Sequence, residues 1–406
     1  MIKALIILSY ILMKAFSAVI EYLNHAHLKG ELPSNVKDVY NEDEYIKWMS
    51  YEAENGKISL IKNIVEVIVN VSLLSFDVYA KLFGAFENLN IYIQYLAVIM
   101  LISIIGTVIA IPFSYYDTFV IEEKYGMNKS TKKTFWLDVI KGYFIEAIIT
   151  FLLISLLMIL FERFGNLAII LGTAVILVIT LVVMLIIVPL MRIFNKFTPL
   201  EDGELKDRLL KLCEKYDVKV QKILVRDASR RTTKSNAFFS GYGKHKVISL
   251  DDNLVKNFSE DEILAVFAHE FGHAKHKHTL KTLPFSVCST LIIFAALGIA
   301  LNIPTLYTAF GFKGVNYLFA EMLISIITWP LSILINAIGN GLSRKNEYQA
   351  DAFAAKEGYG NNLIDALKKL NKEALGDINP HPLKVFLDYS HPTLSQRISA
   401  IQKESI

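Results

Sequence analysis

His269 and His273 stand four residues apart with Glu270 next to the first of them, in the run His269-Glu270-Phe271-Gly272-His273. On a helix this spacing stacks the two imidazoles on one face, where both can reach one ion. Glu270 is turned by about 100° from His269, near enough to hold a water on that ion but not aligned to be a third ligand. The ion draws the water's pKa toward neutrality, and a carboxylate there can take its proton and later pass it to a leaving amine. That chemistry is peptide hydrolysis. The bland alternative is a helix with two surface histidines and a solvated glutamate, but neither a scaffold nor a pore needs a glutamate between paired histidines.

A metal site of this kind lacks one ligand. Cys213 lies in a polar stretch and Cys288 in an apolar one, so neither a disulfide framework nor a cysteine site is available. His276 and His278 are near, but a three-histidine site of the metzincin type wants Gly three residues past His273 and His six past it. Those positions hold His276 and Thr279, so Lys275 to His278 reads as a basic cluster where the helix approaches a membrane. The better candidate is Glu347, with Asp351 four residues on and on the same helix face. Glu347 can complete a two-His, one-Glu site for a single Zn2+, with water in the fourth position. Asp351 can accept from a ligating imidazole N–H and fix its tautomer. Spacing alone leaves open that this is an ordinary exposed helix carrying two acids.

Two other constellations bear on a substrate. Ser235 to Gly243 followed by Lys246 to Leu250 reads as a hairpin turning at Gly241 and Gly243. Its strand at Asn236, Ala237 and Phe238 either adds a substrate at a sheet edge or is purely structural. His391-Pro392 and Arg397 bring two potential cations together, either of which could stabilise an oxyanion; a structural loop is the alternative.

The helix that carries the first motif begins at Ser259-Glu260-Asp261-Glu262, a capping box, and buries Ile263, Leu264, Val266 and Phe267 as its stripe. Around it the chain is apolar: 53% of 406 residues are hydrophobic and 20% charged, a balance that excludes an ordinary soluble protein. With a net charge of +3 and no dense basic patch, nucleic acid is excluded as a partner. Seven stretches are long and apolar enough to span a bilayer: 2–20, 58–82, 91–115, 141–162, 167–193, 282–303 and 316–340. The first, with Ala15, Ser17 and Ala18 near its end, also has the look of a cleaved signal peptide, but Lys14 inside it favours retention. Lys29, Lys37, Lys47, Lys124, Lys129, Lys132 and Lys133 all fall in one set of loops. This puts the N-terminus outside and the long loops, the metal motif and the C-terminus in the cytoplasm. Several spans carry polar residues. Lys62 and Glu146 read as snorkelling to the interface, whereas Glu66 and Asn70 near mid-span point to a wet interior.

Taken together, these blocks resemble the type I CAAX prenyl protease family of membrane zinc metallopeptidases. The resemblance rests on Phe119 to Thr131, Phe194 to Leu200, Ser235-Asn236-Ala237, His269 to His273, Ser343-Arg344 with Glu347 to Asp351, and His391-Pro392 with Arg397. It implies that His269, His273 and Glu347 hold zinc, that Glu270 is the general base, and that His391 and Arg397 bind the substrate carbonyl or oxyanion. Asn236, Ala237 and Phe238 would lie on the substrate-binding edge. It also implies a mainly α fold in which seven membrane helices ring a water-filled chamber, capped by a zincin-like α+β domain with a small sheet. The expected organisation is a five-span region over 1–193, then a first protease part over 194–281. The last two spans over 282–341 and a second protease part over 342–406 follow.

The expected activity is hydrolysis near the C-terminus of prenylated CAAX proteins, whose last three residues the family removes after the modified cysteine. The chain is short for a eukaryotic member, and its last residues carry no dilysine-type signal. These features suggest a bacterial or archaeal cell membrane, with the endoplasmic reticulum as the eukaryotic alternative. In a prokaryote a broader quality-control role, like that of the related HtpX proteases, would replace a prenylated substrate. HtpX-like proteins are shorter, with fewer spans before the motif than the five found here.

Overall fold

The computed structural model describes residues 1–218, 220–240 and 246–404, less the side chains of 184, 185, 221, 239, 240 and 246. In the first half, helices α1 (Ile2–His27), α2 (Glu42–Ser75), α3 (Val78–Ala85), α4 (Ile91–Tyr116), α5 (Lys132–Phe164) and α6 (Ala168–Met191) run in sequence. Strand β1 (Phe197–Pro199), helix α7 (Glu204–Lys215), strands β2 (Val220–Arg226), β3 (Ala237–Ser240) and β4 (Lys246–Asp251), and helices α8 (Asp252–Asn257) and α9 (Glu260–Lys275) follow. Helices α10 (His278–Leu301), α11 (Thr305–Thr308), α12 (Tyr317–Ile327) and α13 (Trp329–Ala354) lead to α14 (Gly360–Ala374), α15 (Pro382–Asp388) and α16 (Leu394–Glu404).

Among the described residues five helical stretches are long and apolar enough to cross a membrane, or six with the pair α12 and α13 taken as one bent span. The longest, Lys132–Val183, contains α5 and the first two thirds of α6 and folds back on itself. Lys141 near the start of α5 donates to the carbonyl of Ile193 beyond the end of α6 at 2.9 Å. Counting that hairpin as two passes brings six to the expected seven.

Two spans differ from their expected form. The stretch 58–82 is the end of a 34-residue helix that begins at an Asn41–Glu44 capping box and stops at Phe76. The break comes at Asp77, which adopts a left-handed conformation (φ 55°), one that an aspartate tolerates better than most residues. Lys3 fixes it there with an ion pair of 2.6 Å. The stretch 316–340 bends by 69° between α12 and α13. Pro330, in the first turn of α13, lacks the N–H needed to continue α12.

The four strands form one sheet in the order β1-β2-β4-β3. β2 and β4 are parallel, while β3 runs antiparallel to β4 with Ala237 opposite Leu250 and Phe238 opposite Ser249. The expected hairpin partners are therefore present; its turn at Gly241 and Gly243 lies outside the described residues. β3 is an edge strand.

Two apolar cores sit at opposite ends of the molecule. One gathers Val36, Trp48, Ile121, Leu209, Leu250, Leu264, Phe267, Phe271 and Ile398, so the loops after α1 and α4 pack together with the sheet and α9. The other gathers Tyr10, Leu74, Phe83, Tyr95, Tyr307, Phe310 and Phe319. The helices between them bury almost nothing: α4 has no buried residue beyond Ile99, and α10 none between His278 and Leu297. Helices packed side by side along their length would each bury a stripe, so this middle zone is open. Glu66 in mid-span is not isolated, since Lys14 meets it at 2.6 Å and Asn70 donates to its carbonyl at 2.9 Å.

Candidate active site

Helix α9 begins as the capping box requires: Ser259 Oγ accepts from the Glu262 N–H at 3.2 Å and Glu262 accepts from the Ser259 N–H at 2.7 Å. Its apolar side, including Ile263, Leu264, Phe267 and Phe271, is buried in the first core. Against α9 lies α13, and Gly272 sets how closely. A Cβ on Gly272 would fall 3.0 Å from the Ala350 Cα and 3.3 Å from its carbonyl oxygen, contacts too tight for any larger residue without a shift of the helix backbone. The close crossing brings Glu347 to the two histidines. Gly272 was not singled out in the sequence because nothing local marks a helix crossing.

The donor atoms of His269, His273 and Glu347 all lie within 4.8 Å of one another. His269 Nε2 is 3.4 Å from Glu347 Oε2, His273 Nε2 is 3.2 Å from Glu347 Oε1, and the two Nε2 atoms are 3.2 Å apart. A tetrahedral ion at about 2.0–2.1 Å from each donor separates them by about 3.4 Å. Glu347 is buried, and its Oε2 has no hydrogen-bond partner among the described residues. A buried carboxylate oxygen without a donor is costly, and a cation among the three groups would satisfy it. Two imidazoles and one carboxylate thus fit a zinc-type ion by spacing, by donor chemistry and by that orphaned atom.

Behind His269 stands Asp351, fully buried, with Oδ1 2.8 Å from His269 Nδ1. Arg397, from α16, forks onto the same carboxylate, Nε to Oδ2 at 2.9 Å and Nη2 to Oδ1 at 2.6 Å. Burial and the Arg397 charge push the His269 ring down, but the Asp351 carboxylate at 2.8 Å and the Glu347 carboxylate at 3.4 Å outweigh them and raise it to about 9. Arg397 is itself held above its usual range, because Asp351 and Glu347 outweigh its burial. His391 stands at the rim of the cleft, exposed, with Nε2 3.5 Å from Glu347 Oε1.

His278 lies in the expected basic cluster where the chain approaches a membrane span, but it is buried, with Nδ1 2.9 Å from His273 Nδ1. The turn between α9 and α10 folds it back, which no local pattern announces.

Beside Glu270 opens a cavity of about 160 Å³. Ala237, Leu254, Val266, Leu363, Leu367 and Leu370 form its apolar lining, with Asn236, Glu270 and His391 among the polar groups. Leu363, Leu367 and Leu370 come from one face of α14, at intervals of four and three residues. Asn236 and Ala237 therefore stand where β3 meets this cleft, and Phe238 follows them on the same edge strand.

Known proteins resemble this chain in sequence and in fold. A model described as the CAAX prenyl protease N-terminal region with five membrane helices matches residues 22–196, and one of peptidase family M48 matches residues 199–405. CAAX prenyl protease 1 of Saccharomyces cerevisiae is 31% identical, over 95% of this chain and 92% of its own length. The CAAX prenyl protease 1 homolog of Arabidopsis thaliana is 33% identical, over 92% and 91%. The crystal structure of S. mikatae Ste24p superposes with a TM-score of 0.93 at 31% identity, covering 99% of each chain. These relatives are eukaryotic and so lend no support to the expectation of a bacterial or archaeal homologue.

Proposed function

The chain belongs to peptidase family M48, in its CAAX prenyl protease branch, and on that premise we propose that it removes C-terminal residues from prenylated CAAX proteins at a single zinc held by His269, His273 and Glu347. The observation that carries this reading is the mutual approach of those three donors to within 4.8 Å, one of the Glu347 oxygens having no hydrogen-bond partner among the described residues, beside Glu270 and an aliphatic cleft. Zinc bound there would acidify a water and polarise the scissile carbonyl.

The chain's own groups do the rest. Glu270 takes the proton from the attacking water and delivers it to the leaving nitrogen. His391, exposed at the rim, donates from Nε2 to the oxyanion. Arg397 has Nε and Nη2 committed to Asp351, so we assign it a positioning role, clamping the carboxylate that orients His269, in place of direct oxyanion contact. The substrate backbone adds to the free edge of β3 at Asn236, Ala237 and Phe238. Because Glu270 serves the leaving nitrogen, the cavity it borders receives the first side chain of the leaving fragment. Its leucine walls suit an aliphatic residue there, as the CAAX pattern requires.

We further propose that the site faces the cytoplasm and that the open zone between the two cores is a chamber receiving the substrate. The lysine-rich loops after α1 and α4 share one core with the protease elements, which supports a common, positively biased side. The test is cleavage, by the detergent-purified full chain, of a peptide ending in farnesyl-cysteine and three residues, against its unlipidated twin. Cleavage of the lipidated peptide alone is expected. Equal cleavage of both would mean a general membrane-proximal protease of the quality-control kind, and cleavage of neither would mean a different substrate class.

A further inference from the structure

The two histidines of the site are oriented by different means. His269 leans on a carboxylate, Asp351, whereas among the described residues no carboxylate meets His273 Nδ1, which faces His278. If His273 turns Nε2 to the ion, its Nδ1 carries the proton, and the atom 2.9 Å away is His278 Nδ1. That atom must then accept, which puts the His278 proton on Nε2, 3.0 Å from the Gln349 side-chain oxygen. Each ring thus has one donor and one acceptor, and the chain of bonds closes on an amide carbonyl without a mismatch. The relay also returns to the helix that supplies the rest of the site. Glu347, Gln349 and Asp351 are alternate residues of α13, serving the ion, His273 by way of His278, and His269.

The backbone is bent to make this contact. Lys277, between α9 and α10, sits in the left-handed region (φ 55°, ψ 41°), which is disfavoured for a residue with a side chain. Strain of this kind persists where the surroundings over-determine it, often at functional sites. Here it starts α10 almost where α9 ends, so that His278 is brought beside His273, five residues earlier. The His276 ring stacks on His278 at 5.5 Å, nearly parallel, and closes its other side.

We infer that His278 is a positioning residue for the metal centre, fixing the tautomer and ring orientation of His273 through a relay to Gln349. The inference rests on the assignment of His269, His273 and Glu347 as ligands. Outer partners of this type are worth about 10–100-fold in metal affinity.

The experiment uses the full chain in detergent, stripped with chelator, then titrated with Co2+ by visible absorption and with Zn2+ by competition. His278→Leu keeps the bulk but removes the acceptor and is expected to weaken Zn2+ binding about 10–100-fold and to alter the cobalt spectrum. His278→Asn places an oxygen near the Nδ1 position and should recover most of the affinity, which a merely structural role would not predict. Parental affinity and spectrum in His278→Leu, or no recovery in His278→Asn, would overturn the inference. Should His278→Leu fail to fold, Gln349→Leu decides: weakened binding supports the relay and unchanged binding refutes it. Glu347→Ala separates the two readings, since retention of metal there would remove the ligand assignment itself. Loss of metal there with full retention in His278→Leu would remove only the relay.

Discussion

Replacing Asp351 tests the proposed support of the site, because the same carboxylate serves the fold and the metal. It is fully buried, accepts two bonds from Arg397 at 2.6 and 2.9 Å, and stands 2.8 Å from His269 Nδ1. Asp351→Leu strands a guanidinium whose side chain is 11% exposed, and breaking one side of a buried pair costs about 3–5 kcal/mol. Arg397→Met should cost about the same, for the mirror-image reason. Independent sites would make the double variant lose about twice as much. Instead, removing both charges leaves apolar groups of similar bulk, and stability should return to within about 2 kcal/mol of the parent. Zinc affinity should not return, because the double variant, like Asp351→Leu, lacks the acceptor of His269; it should remain about 10–100-fold weaker. Thermal unfolding of zinc-free protein in one detergent, with zinc affinity measured on the same samples, separates the two effects. A double variant as unstable as the sum of the singles, or one with parental zinc affinity, would refute the reasoning.

Other expectations follow from single contacts. Gly272→Ala gains about 1 kcal/mol of helix propensity but meets the Ala350 backbone, a crowding cost of about 1–3 kcal/mol; the result should be a net loss of stability and less zinc per chain, measured by thermal unfolding and metal analysis. The His269 ring, raised to about 9 in the metal-free chain, stabilises that form fully below the ordinary 6.5 and loses this effect as pH rises through 9. Zinc must displace that proton, so its affinity should climb by up to about tenfold per pH unit across this window and level off above it; a flat titration would contradict the assignment. Leu367→Trp fills the cavity beside Glu270, so cleavage before leucine should fall about 10-fold or more relative to cleavage before glycine, read from competing peptides.

Much of this was legible in the sequence where the signal is local. The capping box at Ser259 and the four-residue spacing of His269 and His273 are properties of one helix, and both appear as written. The long apolar runs are likewise local, and their ends match α4, α6 and α10 closely, whereas α1 runs on past residue 20 and α5 starts before residue 141. Glu347 and Asp351 were legible as a pair on one face, though bringing them to α9 takes a contact across more than seventy residues of chain. What escaped is what depends on such contacts. Gly272 matters only because Ala350 lies against it, and His278 only because Lys277 turns the chain back toward His273. Arg397 is legible as a potential cation near His391, but that it forks onto a carboxylate of another helix is not. The break at Asp77 was missed because its neighbours are apolar enough to continue a span; the fixing ion pair comes from Lys3, at the other end of α1.

The central claim is that Glu270 moves protons while Glu347 holds metal. The most direct measurement is zinc per chain and hydrolysis of the farnesylated peptide for purified Glu270→Gln and Glu347→Ala beside the parent. Glu270→Gln should keep its zinc and lose at least about 10²–10⁴-fold in rate, and Glu347→Ala should lose zinc and activity together. Zinc lost from Glu270→Gln, or retained in full by Glu347→Ala, would contradict the account.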